Sequence, residues 1–367
     1  MVKIFASPSR YIQGKNVALE VDKYVKDLGS KPVLISDDNV WKIIGNKVFD
    51  VLKDKGFDVE HAVFGGEASD EESQRIADIC DKHNADLVIG VGGGKTADAT
   101  KKIGDKAKVK VVVMPTTAST DAPCSALSVM YNPDGTFKYY SFYDKNPDLV
   151  LIDTQVVAQA PVRTLAAGMG DAMATNVEAS DVAQGHNPSM LHGQQTLASL
   201  AIAKTCMNNL FLHGKQAYAA SKANVVSPSL DAVIEANTLL SGLGFESAGL
   251  AAAHAIYDAF TVLDGKIETL MHGEKVAYGT LCELMLDNAP EEKMNKFIDF
   301  YQSIGLPTTL EDLYIPDVSY EDLLKVGKAA TDPAETMQNM PFEVTPEDVA
   351  DVILAVSAYV HEYNESK

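Results

Sequence analysis

Asp86-Leu-Val-Ile-Gly-Val-Gly92-Gly93-Gly94-Lys95-Thr96-Ala97-Asp98 reads as a buried strand, a glycine turn and the start of a helix. Its unbroken apolar run suits a parallel strand covered on both faces. The glycines let the backbone come close to phosphate oxygens, and the helix that follows offers unpaired N–H groups and a partial positive charge. It is not a Walker loop, because Ile89 stands five residues before Gly94, where that motif needs a glycine. Nor does it fit the Gly-x-Gly-x-x-Gly fingerprint in either register. A plain tight turn is the competing reading of the triplet taken alone.

Outward from this unit, strand-like runs recur at Lys31-Pro-Val-Leu-Ile-Ser, Phe57-Asp-Val-Glu-His-Ala-Val-Phe, Val109-Lys-Val-Val-Val-Met and Asp148-Leu-Val-Leu-Ile-Asp. Ser69 with Glu72 three residues on resembles a capping box and opens a helix through about His83. Strands alternating with helices predict a parallel sheet flanked by helices. After Pro161 the β-branched runs thin out and Ala-, Leu-, Met- and Glu-rich segments with helical spacing take over. Helices are expected near 164–182, 189–213, 228–241, 246–260, 273–289 and 291–304, with a last one opening at Thr345-Pro346. The chain therefore divides into an α/β domain at 1–162 and an all-α domain at 163–367. That is two domains, in keeping with a length of 367 residues.

Two further features sit where strands end. Asp37 follows Val33-Leu-Ile, a place from which a carboxylate can hold both adenosine ribose hydroxyls and repel an extra 2′-phosphate; a turn or helix cap is the alternative. Pro115-Thr-Thr-Ala-Ser-Thr-Asp121-Ala-Pro-Cys124-Ser125 leaves another strand and gathers small hydroxyl residues at the same edge. In the helical half, Asp171, His254 and His272 lie in Ala- and Gly-rich stretches. Small neighbours let helices approach closely, so one carboxylate and two imidazoles can converge. Three such ligands leave one tetrahedral position open on zinc, as a Lewis-acid catalyst requires.

Composition narrows the partners. A net charge of −20 argues against nucleic acid and against an anionic membrane surface. No uncharged apolar run reaches the roughly 18 residues of a membrane span. Cys80, Cys124, Cys206 and Cys282 have no paired spacing, and Met-Val-Lys-Ile-Phe-Ala-Ser-Pro lacks the apolar core of a signal peptide; a cytoplasmic location is expected. The histidines at 61, 83, 186, 192, 213 and 361 are read as packed side chains, Cys124 as packing, and Met169, Met173 and Met271 as core filler.

On these residues the chain resembles the glycerol dehydrogenases, among the metal-containing polyol dehydrogenases. The likeness runs end to end through Tyr11-Ile-Gln-Gly14, Phe64-Gly-Gly-Glu67, Gly92-Gly-Gly-Lys-Thr96, Ala118-Ser-Thr-Asp-Ala-Pro-Cys-Ser-Ala-Leu-Ser128, Ala166-Ala-Gly-Met-Gly-Asp171, Glu235-Ala-Asn-Thr238, Gly244-Phe-Glu-Ser247 and His272-Gly-Glu-Lys-Val-Ala277. The resemblance implies a Rossmann-like first domain and a helical second one, with NAD bound between them. It implies NAD contacts from Asp37, Gly94, Lys95, Thr116, Ser119, Ser125, Leu127 and Tyr131, and Asp98 is counted with them as the close of the glycine-loop unit. It implies a substrate-hydroxyl contact from Asp121 and zinc ligands Asp171, His254 and His272. Iron-dependent relatives carry a fourth ligand, a histidine four residues after the aspartate. Thr175 stands there, which favours zinc with an open site.

The implied reaction is oxidation of glycerol and related vicinal diols to dihydroxyacetone, by hydride transfer from a zinc-bound alkoxide to the nicotinamide. The implied assembly is a large homo-oligomer, an octamer being one such size. The alternatives are a glycerol-1-phosphate dehydrogenase, which needs a cationic phosphate pocket, and a dehydroquinate-synthase-like lyase, which recycles its cofactor.

Overall fold

The computed structural model describes residues 2–367 and forms two compact units. The α/β unit comprises Ala6–Pro161 and Ala220–Gly242; the helical unit comprises residues 2–5, Val162–Ala219 and Leu243–Lys367. Relative to a single division after residue 162, two short segments change sides. Hydrogen bonds described below show why 220–242 belongs with the first unit.

In the α/β unit six strands run parallel: β1 (Tyr11–Gly14), β2 (Pro32–Ser36), β3 (Glu60–Val63), β4 (Leu87–Gly92), β5 (Lys110–Pro115) and β8 (Leu149–Asp153). Their order is β1-β8-β5-β4-β2-β3. Alternate side chains face opposite layers. Leu34, Leu87, Ile89, Val91, Val112 and Met114 pack with Val21, Val25, Val48 and Leu52 on one face. Val33, Ile35, Val88, Val111 and Val113 pack with Ile76, Cys80, Ala97 and Ile103 on the other. Burial on both faces is why these strands read as continuous apolar runs.

The expected strand at 57–64 shortens to β3, of whose four residues only Ala62 is buried. An unexpected ribbon of β6 (Leu127–Tyr131) and β7 (Phe137–Phe142) pairs antiparallel. It turns through Asn132-Pro-Asp-Gly135, with Gly135 at φ 88°.

Because all six strands are parallel, Asp37, Gly94 and Thr116 follow their C-terminal ends at one edge of the sheet. The chain leaves β2 toward β3 on one side and β4 toward β5 on the other. A crevice opens at such a reversal, the usual ligand position in open α/β sheets.

The helical unit is built on Val162–Gln184, Ala252–Ala259, His272–Leu286, Glu291–Ser303, Tyr320–Ala330 and Pro346–Glu365. The helix expected from 189 instead starts at Leu197, where the Thr196 and Ser199 side chains exchange hydrogen bonds with each other's backbone N–H. The helix from Pro228 runs through a π-turn at Ala236–Leu240 to Ala248, and the break falls at Gly249, φ 104°. Tyr320–Ala330, capped by Ser319, was not expected. Among the described residues no single helix is long and apolar enough to cross a membrane. All four cysteines are buried and none is in a disulfide.

Three helices meet almost backbone to backbone. A Cβ on Gly273 would stand 1.8 Å from the Ala167 carbonyl oxygen, one on Gly170 2.3 Å from the Gly273 carbonyl oxygen, and one on Gly279 2.4 Å from the Ala253 carbonyl oxygen. In a free helix Gly→Ala gains roughly 0.5–1 kcal/mol. Here Gly279→Ala should instead cost about 1–3 kcal/mol, because the obstructing atom is backbone and the helices must part. A lowered thermal midpoint for that variant is expected; a raised one would contradict the close packing.

Candidate active site

Asp171 lies mid-way along Val162–Gln184, His254 in the first turn of Ala252–Ala259, and His272 at the start of His272–Leu286. Each is one or two residues from a glycine or alanine at the close helix contacts. Both imidazoles aim Nε2 at one carboxylate oxygen, Asp171 Oδ1, at 3.3 Å from His254 and 3.1 Å from His272. One donor atom from each residue lies within 4.8 Å of the others. Bonds of about 2.0–2.1 Å to zinc set tetrahedral donors about 3.3 Å apart, so the observed spacing fits such an ion. The set is buried: Asp171 is 1% and His254 8% exposed. His272 is the most open of the three, its ring held edge-on by Tyr257 with centroids 4.2 Å apart.

Carboxylates surround this centre. Glu178, fully buried, takes His254 Nδ1 at 2.7 Å. Burial opposes charge on His254, but the Glu178 carboxylate and then Asp171 raise its pKa well above the ordinary value. Burial likewise opposes ionisation of Asp171, yet His272 and His254 hold its carboxyl well below the usual range. Farther back, burial pushes Glu283 up, helped by Glu178 and Asp181, and burial with Asp181 pushes Asp287 up to about 7. A buried acidic environment of this kind favours a bound cation.

The nucleotide-type residues all lie in the α/β unit. Gly93 and Gly94 open the helix Gly94–Ala107, and a Cβ on Gly93 would meet nothing nearer than Thr117 Oγ1 at 3.9 Å, leaving open space over the loop. Lys95 Nζ bonds Glu67 Oε1 at 2.5 Å and sits 5.3 Å over the Tyr131 ring. Thr116 donates its N–H to the Gly92 carbonyl at 2.9 Å, joining the two loops, and Ser119 Oγ lies 3.1 Å from Thr117 Oγ1. Ser125 is fully buried, its hydroxyl donating to Ala122 O at 3.2 Å; Leu127 is buried beside it. Asp37 caps the turn after β2, Oδ1 accepting from Asn39 and Val40 at 2.8 Å each. The helix-cap reading of Asp37 is thus present, and the cap uses Oδ1 alone.

Asp98 is 5% exposed and pairs with Lys101 Nζ at 3.0 Å. Lys101, a buried cation that sequence reading passed over, also donates to the carbonyls of Ala122, at 2.9 Å, and Leu127. It staples the 116–127 loop onto the helix, and Asp98 neutralises it. The segment 220–242 secures the same loop from another side: Asn237 donates to Ala118 O at 2.9 Å and Ser241 to Asp121 Oδ2 at 2.8 Å. The Asp98-x-x-Lys101 spacing and the two-turn spacing of Asp171 and Glu178 were the available signals for these partners.

A family model described as iron-containing alcohol dehydrogenase matches residues 8–154. The glycerol dehydrogenase of Citrobacter freundii is 45% identical over 354 residues, spanning 96% of this chain and 97% of its own. The glycolaldehyde reductase of Halobacterium salinarum is 43% identical over the same shares of each chain. The crystal structure of glycerol dehydrogenase from Schizosaccharomyces pombe matches with a TM-score of 0.97 at 43% identity, covering 100% of this chain and 93% of that one. With identity at this level running end to end, the chain belongs to the glycerol dehydrogenase family.

Proposed function

We propose that the protein oxidises glycerol and related vicinal diols, glycerol giving dihydroxyacetone, with NAD as hydride acceptor and zinc as the resident ion. The convergence of Asp171, His254 and His272 carries this reading, supported by the end-to-end identity to glycerol dehydrogenases. The glycolaldehyde reductase among its relatives fits the same chemistry, since glycolaldehyde is the oxidation product of a two-carbon vicinal diol. Nothing in the comparisons supports the phosphate-substrate or lyase alternatives. We further assign NAD binding to the α/β unit, which also supplies Asp121 to the substrate, and metal and the remaining substrate binding to the helical unit.

Asp171 supplies the anionic oxygen and the two histidines neutral nitrogens; when bound there, a divalent ion supplies Lewis acidity that lowers the pKa of a substrate hydroxyl. Asp121, fixed by Ser241, accepts a hydrogen bond from a diol hydroxyl and orients it. The N-terminus of Gly94–Ala107 and the 116–127 hydroxyl loop hold the NAD pyrophosphate and nicotinamide, with Lys95, Thr116, Ser119, Leu127 and Tyr131 lining that path and the buried Ser125 supporting the loop behind them. Asp98 acts through Lys101 by keeping the loop in place. Asp37 takes the adenosine ribose and disfavours NADP.

Three outcomes are expected. His254→Ala should remain folded and bind NADH while losing metal and about a thousandfold in activity, the several kcal/mol that a Lewis acid contributes. Full activity in that variant, or in wild-type protein verified metal-free, overturns the mechanism. Asp121→Asn should lower kcat/KM for glycerol about tenfold to a hundredfold, the worth of one hydrogen bond to a charged group, with NADH affinity unchanged. Loss of NADH binding with normal glycerol kinetics would remove Asp121 from the substrate site.

The third outcome concerns pH. His254 has a folded pKa raised above 6.5, so the metal must displace its proton. Metal affinity in chelator competition should climb with pH until that raised pKa is passed. The sign for the metal-free protein is opposite. Its His254 contributes stability that is fully present below the unfolded pKa of about 6.5 and is lost as pH rises through the folded value. Melting in EDTA should therefore show a midpoint that declines above neutrality; a pH-independent metal affinity and midpoint would rule this out.

A further inference from the structure

Glu178 accepts three hydrogen bonds inside the helical unit, and together they dictate where a proton sits. Its Oε1 receives the backbone N–H of Ala251 at 2.9 Å and of His254 at 3.0 Å. Its Oε2 receives the His254 ring at Nδ1, 2.7 Å away. Helix Ala252–Ala259 has no side-chain cap of its own, so the two amide bonds do that work from a distant helix. Glu283 helps, its Oε2 taking the Ala253 N–H at 2.6 Å. A cap alone accounts for those contacts. The ring contact is different in kind. A carboxylate on this site is an acceptor only, so Nδ1 must carry the hydrogen and Nε2 is the atom left to bind through a lone pair.

We propose that Glu178 is a positioning residue that holds His254 with Nδ1 protonated and Nε2 aimed at the metal position beside Asp171. This rests on the metal-centre reading above and deepens it. Asp171 and Glu178 lie seven residues apart on one helix, two turns along one face, so a single rigid element carries a ligand and the orienter of the next ligand. His272 is held by ring packing against Tyr257, so the two histidines are held by different means. Support of this kind behind a metal-bound histidine is typically worth 10–100-fold in metal affinity.

Glutamine at 178 has the same shape but one oxygen. If that oxygen meets the two backbone N–H groups, its NH2 faces Nδ1 and forces the proton onto Nε2, where a ligand lone pair is needed. If it meets Nδ1, the NH2 opposes the backbone donors. Glu178→Gln should therefore bind Zn(II) about 10–100-fold more weakly in chelator competition, and its Co(II)-loaded form should show altered visible absorption. Glu283→Gln is the control for the cap. Burial, with Glu178 and Asp181 nearby, already keeps Glu283 high in pKa, so the neutral amide resembles the native group and retains the Ala253 contact. It should keep wild-type metal affinity and Co(II) spectrum. Should Glu178→Gln fail to fold, Glu178→Asp, which keeps the charge but withdraws it by one methylene, reports the same loss. Wild-type affinity and spectrum in the Glu178 variant, while His254→Ala loses metal, overturn the proposal alone. Retention of metal by His254→Ala as well overturns the metal-centre reading itself.

Discussion

The distance between three helix backbones governs this structure. At Gly170, Gly273 and Gly279 the space that a single methyl group would fill is already taken by carbonyl oxygens of a neighbouring helix. That closeness is what sets Asp171, His254 and His272 within reach of one point, since each sits beside the contact and none needs to extend far. Side chains brought together on touching backbones have few soft degrees of freedom, and the precision of the candidate metal site follows from packing.

Electrostatics then constrains what such a point can hold. Asp171 and Glu178, with Asp181, Glu283 and Asp287 behind them, place an acidic cluster in low-dielectric surroundings against two imidazoles. Part of that charge is relieved by protonation, as the upward shifts of Glu283 and Asp287 indicate. Asp171 stays ionised because the histidines face it. A divalent cation would complete the balance where protons on imidazole otherwise must. The α/β unit meets its own buried charge differently, by pairing Lys101 with Asp98 and using the remaining donors of the ammonium on loop carbonyls.

Much of this was legible in the sequence for definite reasons. β2, β4, β5 and β8 announce themselves because burial on both faces keeps their interiors apolar, with polar residues only at the ends. Asp171, His254 and His272 stood out as residue types in small-residue stretches, and their convergence depended on helix contacts that spacing alone does not specify. Other elements were harder. Tyr11–Gly14 is too short for a period to show, whereas the Pro-Asp-Gly turn between β6 and β7 was visible and went unused. The start at Leu197 turned on a reciprocal Thr196–Ser199 cap that competes with a longer helical pattern. Glu178 and Lys101 could not be singled out from the sequence because acids and lysines on helices are usually solvated. Only burial distinguishes them.

The path of the chain carries a final consequence. The loop bearing Asp121 is tied by Asn237 and Ser241, which lie in a segment that follows helices of the second unit. The first unit is therefore incomplete when residue 161 leaves the ribosome, and its sheet must wait for about 80 more residues of largely helical chain before that loop is fastened. The α/β unit can close only once residue 242 has emerged, after the Val162–Ala219 part of the helical unit and before Leu243–Lys367.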